Sequence, residues 1–220
     1  MLFDLDGTLI DSVYQHVLAW QEALAGFDIH MSVWKIHRRI GMSGGLFASA
    51  LARETRGSLS PEQIRALNLA HAEAFGRRRD TIQALPGARA LLNALTDHGV
   101  KWAIATSGLA ISAQPALALL RLPDDTPLIT RDQVRHAKPD PDLFLAAAAL
   151  IKVDIGEAVV IGDSVWDLLA ARRAGALGVG LLSGGYGRDE LERAGAYRVY
   201  ADPGDLLDHL YEVGVRLNRD

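Results

Sequence analysis

The chain opens MLFDLDGTLIDS over residues 1–12, a short apolar run that delivers two carboxylates, Asp4 and Asp6, and then turns at Gly7-Thr8. A brief apolar run ended by an Asp-Gly pair predicts a buried strand rather than a helix. Side-chain alternation would aim Asp4 and Asp6 to one side as that strand ends. The pattern recurs downstream. VKWAIATSG (100–108) and EAVVIGDS (157–164) are apolar runs that finish in small polar or acidic residues, and ALGVGLL (176–182) is a further apolar run.

Helices are expected between and after these strands. The sequence places them at 88–98, at 112–121 with Pro115 early, from Asp140-Pro141, at 163–174, near 188–195 and from Asp202-Pro203; short strands fall near 127–130 and at 198–200. Strands alternating with helices of this length predict an α/β fold: a three-layer, Rossmann-like parallel sheet with helices on both faces.

Residues 13–82 break the alternation. Val13, Val17, Trp20 and Leu24 recur at helical spacing behind Ser12 as a cap, and Ser60-Pro61-Glu62-Gln63 reads as the start of another helix. Gly41-Met42-Ser43-Gly44-Gly45 reads as a loop leading into a helix over 46–55. The expected organisation is therefore a core of residues 1–12 and 83–220, with residues 13–82 inserted as an all-helical cap. Hinges are expected near 9–12 and 80–86.

Composition excludes several classes. Of 220 residues, 49% are hydrophobic and 23% charged, with a net charge of −4, so no basic surface points to nucleic acid or an anionic membrane. No apolar run reaches the ~18 residues of a membrane-spanning helix. The absence of cysteine excludes disulfide scaffolds, thiolate zinc sites and thiol catalysis. Only Met1, Leu2 and Phe3 precede Asp4, which leaves no room for a secretory leader, so a cytoplasmic location is expected. Nothing in the sequence sets an oligomeric state.

Ligands of open parallel sheets bind beyond the carboxyl ends of the strands. There the first strand delivers Asp4, Asp6, Gly7 and Thr8, and the second Thr106, Ser107 and Gly108. EAVVIG delivers Gly162, Asp163 and Ser164, with Asp167 one turn further on, and a proline-fixed loop delivers Lys138. Asp163 and Asp167, four apart, would share one helix face. Each piece alone is ordinary: a turn, a helix cap, a surface lysine. Together they gather four carboxylates, which repel unless a cation compensates them, and Mg²⁺ takes such oxygen ligands beside a substrate phosphate. Only four of the 23 basic residues are lysines, and Lys138 is the one lying among these segments.

DLDGTLIDS, the strand ending in Thr106, KPDPDLF (138–144) and GDSVWD (162–167) resemble, in order and spacing over almost the whole chain, the four motifs of the haloacid dehalogenase-like hydrolases. The helical insertion resembles the cap of the phosphoglycolate phosphatase and β-phosphoglucomutase branch. That resemblance implies a Mg²⁺-dependent phosphatase acting on a small phosphorylated metabolite through an aspartyl-phosphate. Asp4 would be the nucleophile and Asp6 the general acid and base, its backbone carbonyl also binding the metal. Asp4, Asp6 and Asp163 would ligate Mg²⁺, with Asp167 holding a metal-bound water or Lys138. Thr106 and the backbone N–H groups of Ser107 and Gly108 would cradle the phosphoryl oxygens, and Lys138 would neutralise their charge. Losing Lys138 is expected to lower kcat with at most a modest change in Tm.

In the cap, His16, Arg38 and Arg39 either pack and solvate a helix face or touch the part of the substrate beyond its phosphate. The competing readings are a phosphomutase of the β-phosphoglucomutase kind, a catalytically silent phosphate-binding protein and, ranked lowest, a dehalogenase. His16 matches a cap-helix histidine of the mutases. The two cap-loop cations of that pattern are replaced here by Ile40 and Gly44, which favours the phosphatase. The three residues ahead of Asp4 are fewer than the family usually carries, so the first strand is expected to lose ladder hydrogen bonds.

Overall fold

The computed structural model describes residues 1–42, 44–54 and 59–216. Its strands are β1 (Leu2–Phe3), β2 (Ile10–Asp11), β3 (Gln83–Ala84), β4 (Ala103–Ala105), β5 (Leu128–Ile129), β6 (Val159–Gly162), β7 (Leu177–Leu181) and β8 (Ala196–Tyr200). The helices are α1 (Val13–Ala25), α2 (Val33–His37), α3 (Gly44–Glu54), α4 (Pro61–Gly76), α5 (Ala88–Asp97), α6 (Ala110–Leu120), α7 (Asp142–Leu150), α8 (Val165–Ala174), α9 (Arg188–Ala194) and α10 (Pro203–Asp208). They form two compact units, one of Met1–Asp11 with Gln83–Asp220 and one of Ser12–Ile82.

The larger unit is an α/β, Rossmann-like fold. Six parallel strands run in the order β5-β4-β1-β6-β7-β8, with Phe3 of β1 opposite Ile104 and Ile161. The chain steps from β1 outward to β4 and β5, then returns to the other side of β1 for β6, β7 and β8. That reversal opens a crevice beyond the carboxyl ends of β1 and β6, where such sheets bind ligands. Leu2, Ala103, Ala105 and Val160 of the sheet pack with Leu143, Phe144, Ala147, Ala170 and Ala171 of α7 and α8. A central strand covered on both faces is apolar, as Leu2 and Phe3 of β1 are, and burial continues past its end through Asp4 and Leu5.

The paired part of β1 is only two residues long, yet it does not lose its ladder. Ala103 N–H donates to Met1 O at 3.0 Å and Asp4 N–H to Ile161 O at 2.9 Å, so hydrogen bonding continues past both ends.

In the smaller unit, Val13, Val17, Trp20 and Leu24 of α1 pack with Ile36, Phe47, Leu51 and Leu67 from the other three helices. Helix α4 starts as its sequence indicates. Ser60 Oγ accepts from Gln63 N–H at 3.2 Å and Gln63 Oε1 accepts from Ser60 N–H at 2.8 Å.

Several local readings need correction. Ser12 occupies the N-cap of α1 without a capping bond, because its φ of −129° and ψ of −9° depart from the extended cap geometry. Gly44 and Gly45 belong to α3 rather than to a loop, while Ser43 lies outside the described residues. Helix α6 begins two residues earlier than read, which puts Pro115 in its body. Asp140 does not cap α7; Asp142 instead turns back to accept from His136 N–H at 3.0 Å. The segments expected to act as hinges also carry β2 and β3, an antiparallel pair with Ile10 opposite Ala84, an addition that leaves the hinge expectation as it was. Elements as short as these, and α2, carry no readable periodicity. No helix among the described residues is long and apolar enough to cross a membrane.

Candidate active site

Strand β1 hands Asp4 to the crevice and β6 hands over Asp163. Asp4, Asp163 and Asp167 are all buried, and one carboxylate oxygen from each lies within 4.8 Å of the others. Asp163 does not share a helix face with Asp167 as expected, because α8 begins only at Val165 and Asp163 precedes its N-cap. The two converge because Asp167, in the first turn, folds back onto Ser164: its Oδ2 accepts from Ser164 N–H at 3.1 Å and from Ser164 Oγ at 2.5 Å.

Two glycines leave the room. A Cβ on Gly162 would overlap the side chain of Asp167, and one on Gly184 would overlap that of Asp163. Thr8 Oγ1 donates to Asp163 Oδ1 at 3.0 Å. Ser183 Oγ donates to Gly7 O at 2.6 Å, tying the segment after β7 to the turn that carries Asp6. The sequence puts Thr8 at this edge but assigns it no role. Gly184 and Ser183 carry no local sequence signal that connects the end of β7 to residues near position 7.

Lys138 enters the cluster fully buried. Its ammonium donates to Asp4 Oδ1, stands 2.8 Å from Asp167 Oδ1 and lies 5.0 Å from the centre of the Phe144 ring. With all three carboxylates ionised, the single ammonium would leave the cluster two charges negative, which raises the cost of ionising them together. The titration behaviour follows. Burial pushes Asp4 up to about 7, opposed by Lys138 and reinforced by Asp167 and Asp6. Burial, then Asp167 and Asp4, holds Asp163 well above the usual carboxylate range, with the Thr8 bond opposing. For Lys138, burial disfavours the ammonium, but Asp167 and Asp4 outweigh it and raise its pKa.

Buried oxygens carrying uncompensated negative charge fit a hard divalent cation, so the acidic triad can hold a metal ion. Both oxygens of Asp167 are already engaged, by Lys138 and by Ser164. Asp6 stands outside the triad: it is half-buried, its backbone bridges to Ile10, and its charge is near enough to raise Asp4.

Thr106 is buried at the end of β4, where its Oγ1 accepts from Gly108 N–H at 2.9 Å. The hydroxyl proton of Thr106 is thereby directed elsewhere, and the Gly108 N–H expected in a phosphate cradle is committed to Thr106. Ser107 Oγ is buried with no hydrogen-bond partner among the described residues.

His16 and Arg39 lie in the helical unit. His16 Nδ1 is 3.2 Å from His71 Nε2, and its ring stacks on Phe75 at 3.8 Å between centres, while His71 stacks on Trp20. Arg39 Nη1 donates to Lys35 O at 2.6 Å.

Residues 1–175 match the family model of the haloacid dehalogenase-like hydrolases. The chain belongs to that family. It is 34% identical to hexitol phosphatase A of Escherichia coli over 185 residues, which cover 79% of this chain and 78% of that one. It is also 34% identical to the phosphoglycolate phosphatase of Caulobacter vibrioides over 204 residues, covering 88% and 83%. A solved hydrolase from Pseudomonas syringae superposes with a TM-score of 0.95 at 56% identity, over 96% of this chain and 97% of that one. This haloacid dehalogenase-like hydrolase, like its relatives, is a phosphoric monoester hydrolase.

Proposed function

We propose that the chain is a Mg²⁺-dependent phosphatase that cleaves a small phosphorylated metabolite through an aspartyl-phosphate on Asp4. The observation that carries this reading is the buried Asp4 carboxylate, gripped by Lys138 at the carboxyl end of the central strand. An anion desolvated there is a costly group to keep unless its reactivity is used.

Asp4 attacks phosphorus, and the bond from phosphorus to the ester oxygen breaks as Asp6 gives that oxygen a proton. Asp6 then takes a proton from water, which attacks the acyl-phosphate and releases inorganic phosphate with Asp4 restored. Lys138 opposes the burial that pushes Asp4 toward protonation and balances the transferring group. Thr106 donates its directed proton to a phosphoryl oxygen, beside Ser107 and Gly108. Asp4, Asp163 and the backbone carbonyl of Asp6 would hold the Mg²⁺, with Asp167 reserved for Lys138. The bound ion would offset the charge of the carboxylates and the phosphate, letting like-charged groups approach.

Residues 13–82 form the cap, and selectivity for the rest of the substrate resides there, in His16 and Arg39. The named relatives act on hexitol phosphates and phosphoglycolate, which supports a phosphorylated sugar, polyol or small acid as substrate. The test is para-nitrophenyl phosphate hydrolysis with Mg²⁺ and with EDTA, followed by a panel of phosphorylated metabolites. Turnover that persists unchanged in EDTA, or none on any phosphate monoester, would overturn the reading.

A further inference from the structure

We propose that Arg173 is a positioning residue for Lys138, holding the lysine loop in register with the helix that carries Asp167. The inference rests on the proposed role of Lys138 and goes beyond it, since Arg173 touches neither Lys138 nor the carboxylate cluster.

Lys138 sits in an irregular segment, 134–141, between a short 3₁₀ turn and α7. Apart from one turn bond, Asp140 N–H to Ala137 O at 3.1 Å, backbone pairing does not brace the segment, so its placement against the rest of the fold depends on side chains. Arg131 holds its start, donating to Val134 O at 2.8 Å and Arg135 O at 3.3 Å. Asp142 accepts from His136 N–H at 3.0 Å. Both come from the same stretch of chain and can move with it.

Arg173 is different because it belongs to α8. Its Nη1 donates to Pro139 O, next to Lys138, at 2.8 Å and reaches Asp140 Oδ1 at 3.3 Å. Helix α8 also carries Asp167, whose Oδ1 stands 2.8 Å from Lys138 Nζ. The two grips are six residues apart, about 9 Å along a helix rising about 1.5 Å per residue. A segment held at one point pivots; held at two points on a rigid helix, it does not. The Asp167 grip fixes where the ammonium is, and the Arg173 grip fixes the backbone from which it extends.

Precision matters here because the ammonium serves Asp4 and Asp167 together inside a desolvated cluster, where electrostatic stabilisation depends on preorganised placement. Displacement of about 1 Å by a change remote from the chemistry can cost about a hundredfold in rate. The Arg173–Asp140 pair itself is roughly half exposed and contributes little to stability. Loss of Arg173 therefore shows in turnover and hardly in folding.

The experiment measures kcat and KM on para-nitrophenyl phosphate with Mg²⁺, together with Tm and amide hydrogen exchange, for Arg173→Ala, Arg173→Lys, Asp140→Asn and Lys138→Ala beside wild type. Arg173→Ala is expected to lower kcat about tenfold or more, with KM within about twofold and Tm nearly unchanged. Amides of the 136–142 segment should exchange faster while those of α8 do not. Arg173→Lys, which keeps a donor to Pro139 O, should recover most of the loss. Asp140→Asn, which removes only the ion pair, should stay near wild type.

Unchanged kcat and exchange in Arg173→Ala would overturn the inference, as would a kcat loss that tracks Tm or is shared by Asp140→Asn. If Lys138→Ala is still folded at the assay temperature by its Tm but inactive, and Arg173→Ala is normal, only this inference fails. If Lys138→Ala keeps full activity, the proposed role of Lys138 fails first.

Discussion

Lys138 Nζ stands 2.8 Å from Asp167 Oδ1, and neither side chain is exposed to solvent. Water cannot screen that pair, so each charge needs the other, and Lys138 also serves Asp4. A buried ion pair is weak evidence for stability, because desolvating two charges offsets their attraction. Removing one partner is a different matter.

Lys138→Ala is therefore expected to impair folding as well as turnover. The sequence alone pointed to a modest change in Tm, but complete burial revises this to a loss of about 3–5 kcal/mol, the range for breaking a buried pair. Denaturant unfolding in EDTA and in Mg²⁺ measures it. The loss should shrink in Mg²⁺, which would replace part of the missing positive charge.

Asp4→Asn should abolish turnover without lowering the Tm of the metal-free protein. Burial is the largest influence on Asp4 and disfavours its charged form, and an amide carries no charge to desolvate. Activity above about a hundredth of wild type, a barrier increase under about 3 kcal/mol, would count against Asp4 as nucleophile.

Thermal stability in the absence of metal should fall as pH rises on account of Asp4. Its folded pKa, raised to about 7 from 3.8, favours the native state fully below the unfolded value. That contribution is lost as pH climbs through about 7. Asp163, also raised, acts with the same sign. Mg²⁺ binds the carboxylate forms, so its stabilising shift in Tm should be larger near pH 8 than near pH 5. A shift in Tm that does not vary with pH would exclude these two carboxylates as the ligands.

Thr8→Val removes the hydrogen bond to Asp163 Oδ1 at nearly constant volume. That bond lowers the pKa of Asp163 against the effect of burial, so its loss should raise the pKa further and weaken Mg²⁺ binding. Loss of a hydrogen bond to a charged group, about 1.5–3 kcal/mol, corresponds to about tenfold or more in Mg²⁺ affinity, read by titration calorimetry.

The mutase alternative makes its own demand. A mutase must hold a second phosphate while its acyl-phosphate survives, and by the family resemblance Ile40 and Gly44 would fall where the mutase pattern has cations. With β-glucose 1-phosphate and a bisphosphate primer, free phosphate is expected to exceed glucose 6-phosphate. The reverse order would make the protein a mutase.

The sequence by itself was enough for the α/β class, the motif order and the helix starts at Ser60 and Asp202. Each rests on local chemistry: strand-length apolar runs, an Asp or Ser that accepts from the next N–H groups, a proline at the first helical position. It also singled out Asp4, Asp163, Asp167 and Lys138. Only the tertiary structure decided how these meet. Asp167 turns back to Ser164 instead of sharing a face with Asp163, Gly108 N–H is committed to Thr106, and Thr8 and Gly184 close around Asp163 from the turns that follow β1 and β7. Pairs such as Thr8 with Asp163, or Lys138 with Asp4, are more than a hundred residues apart. Local spacing carries no record of such contacts. Strand order and register create them, as does the desolvation that turns four ordinary charges into one coupled group.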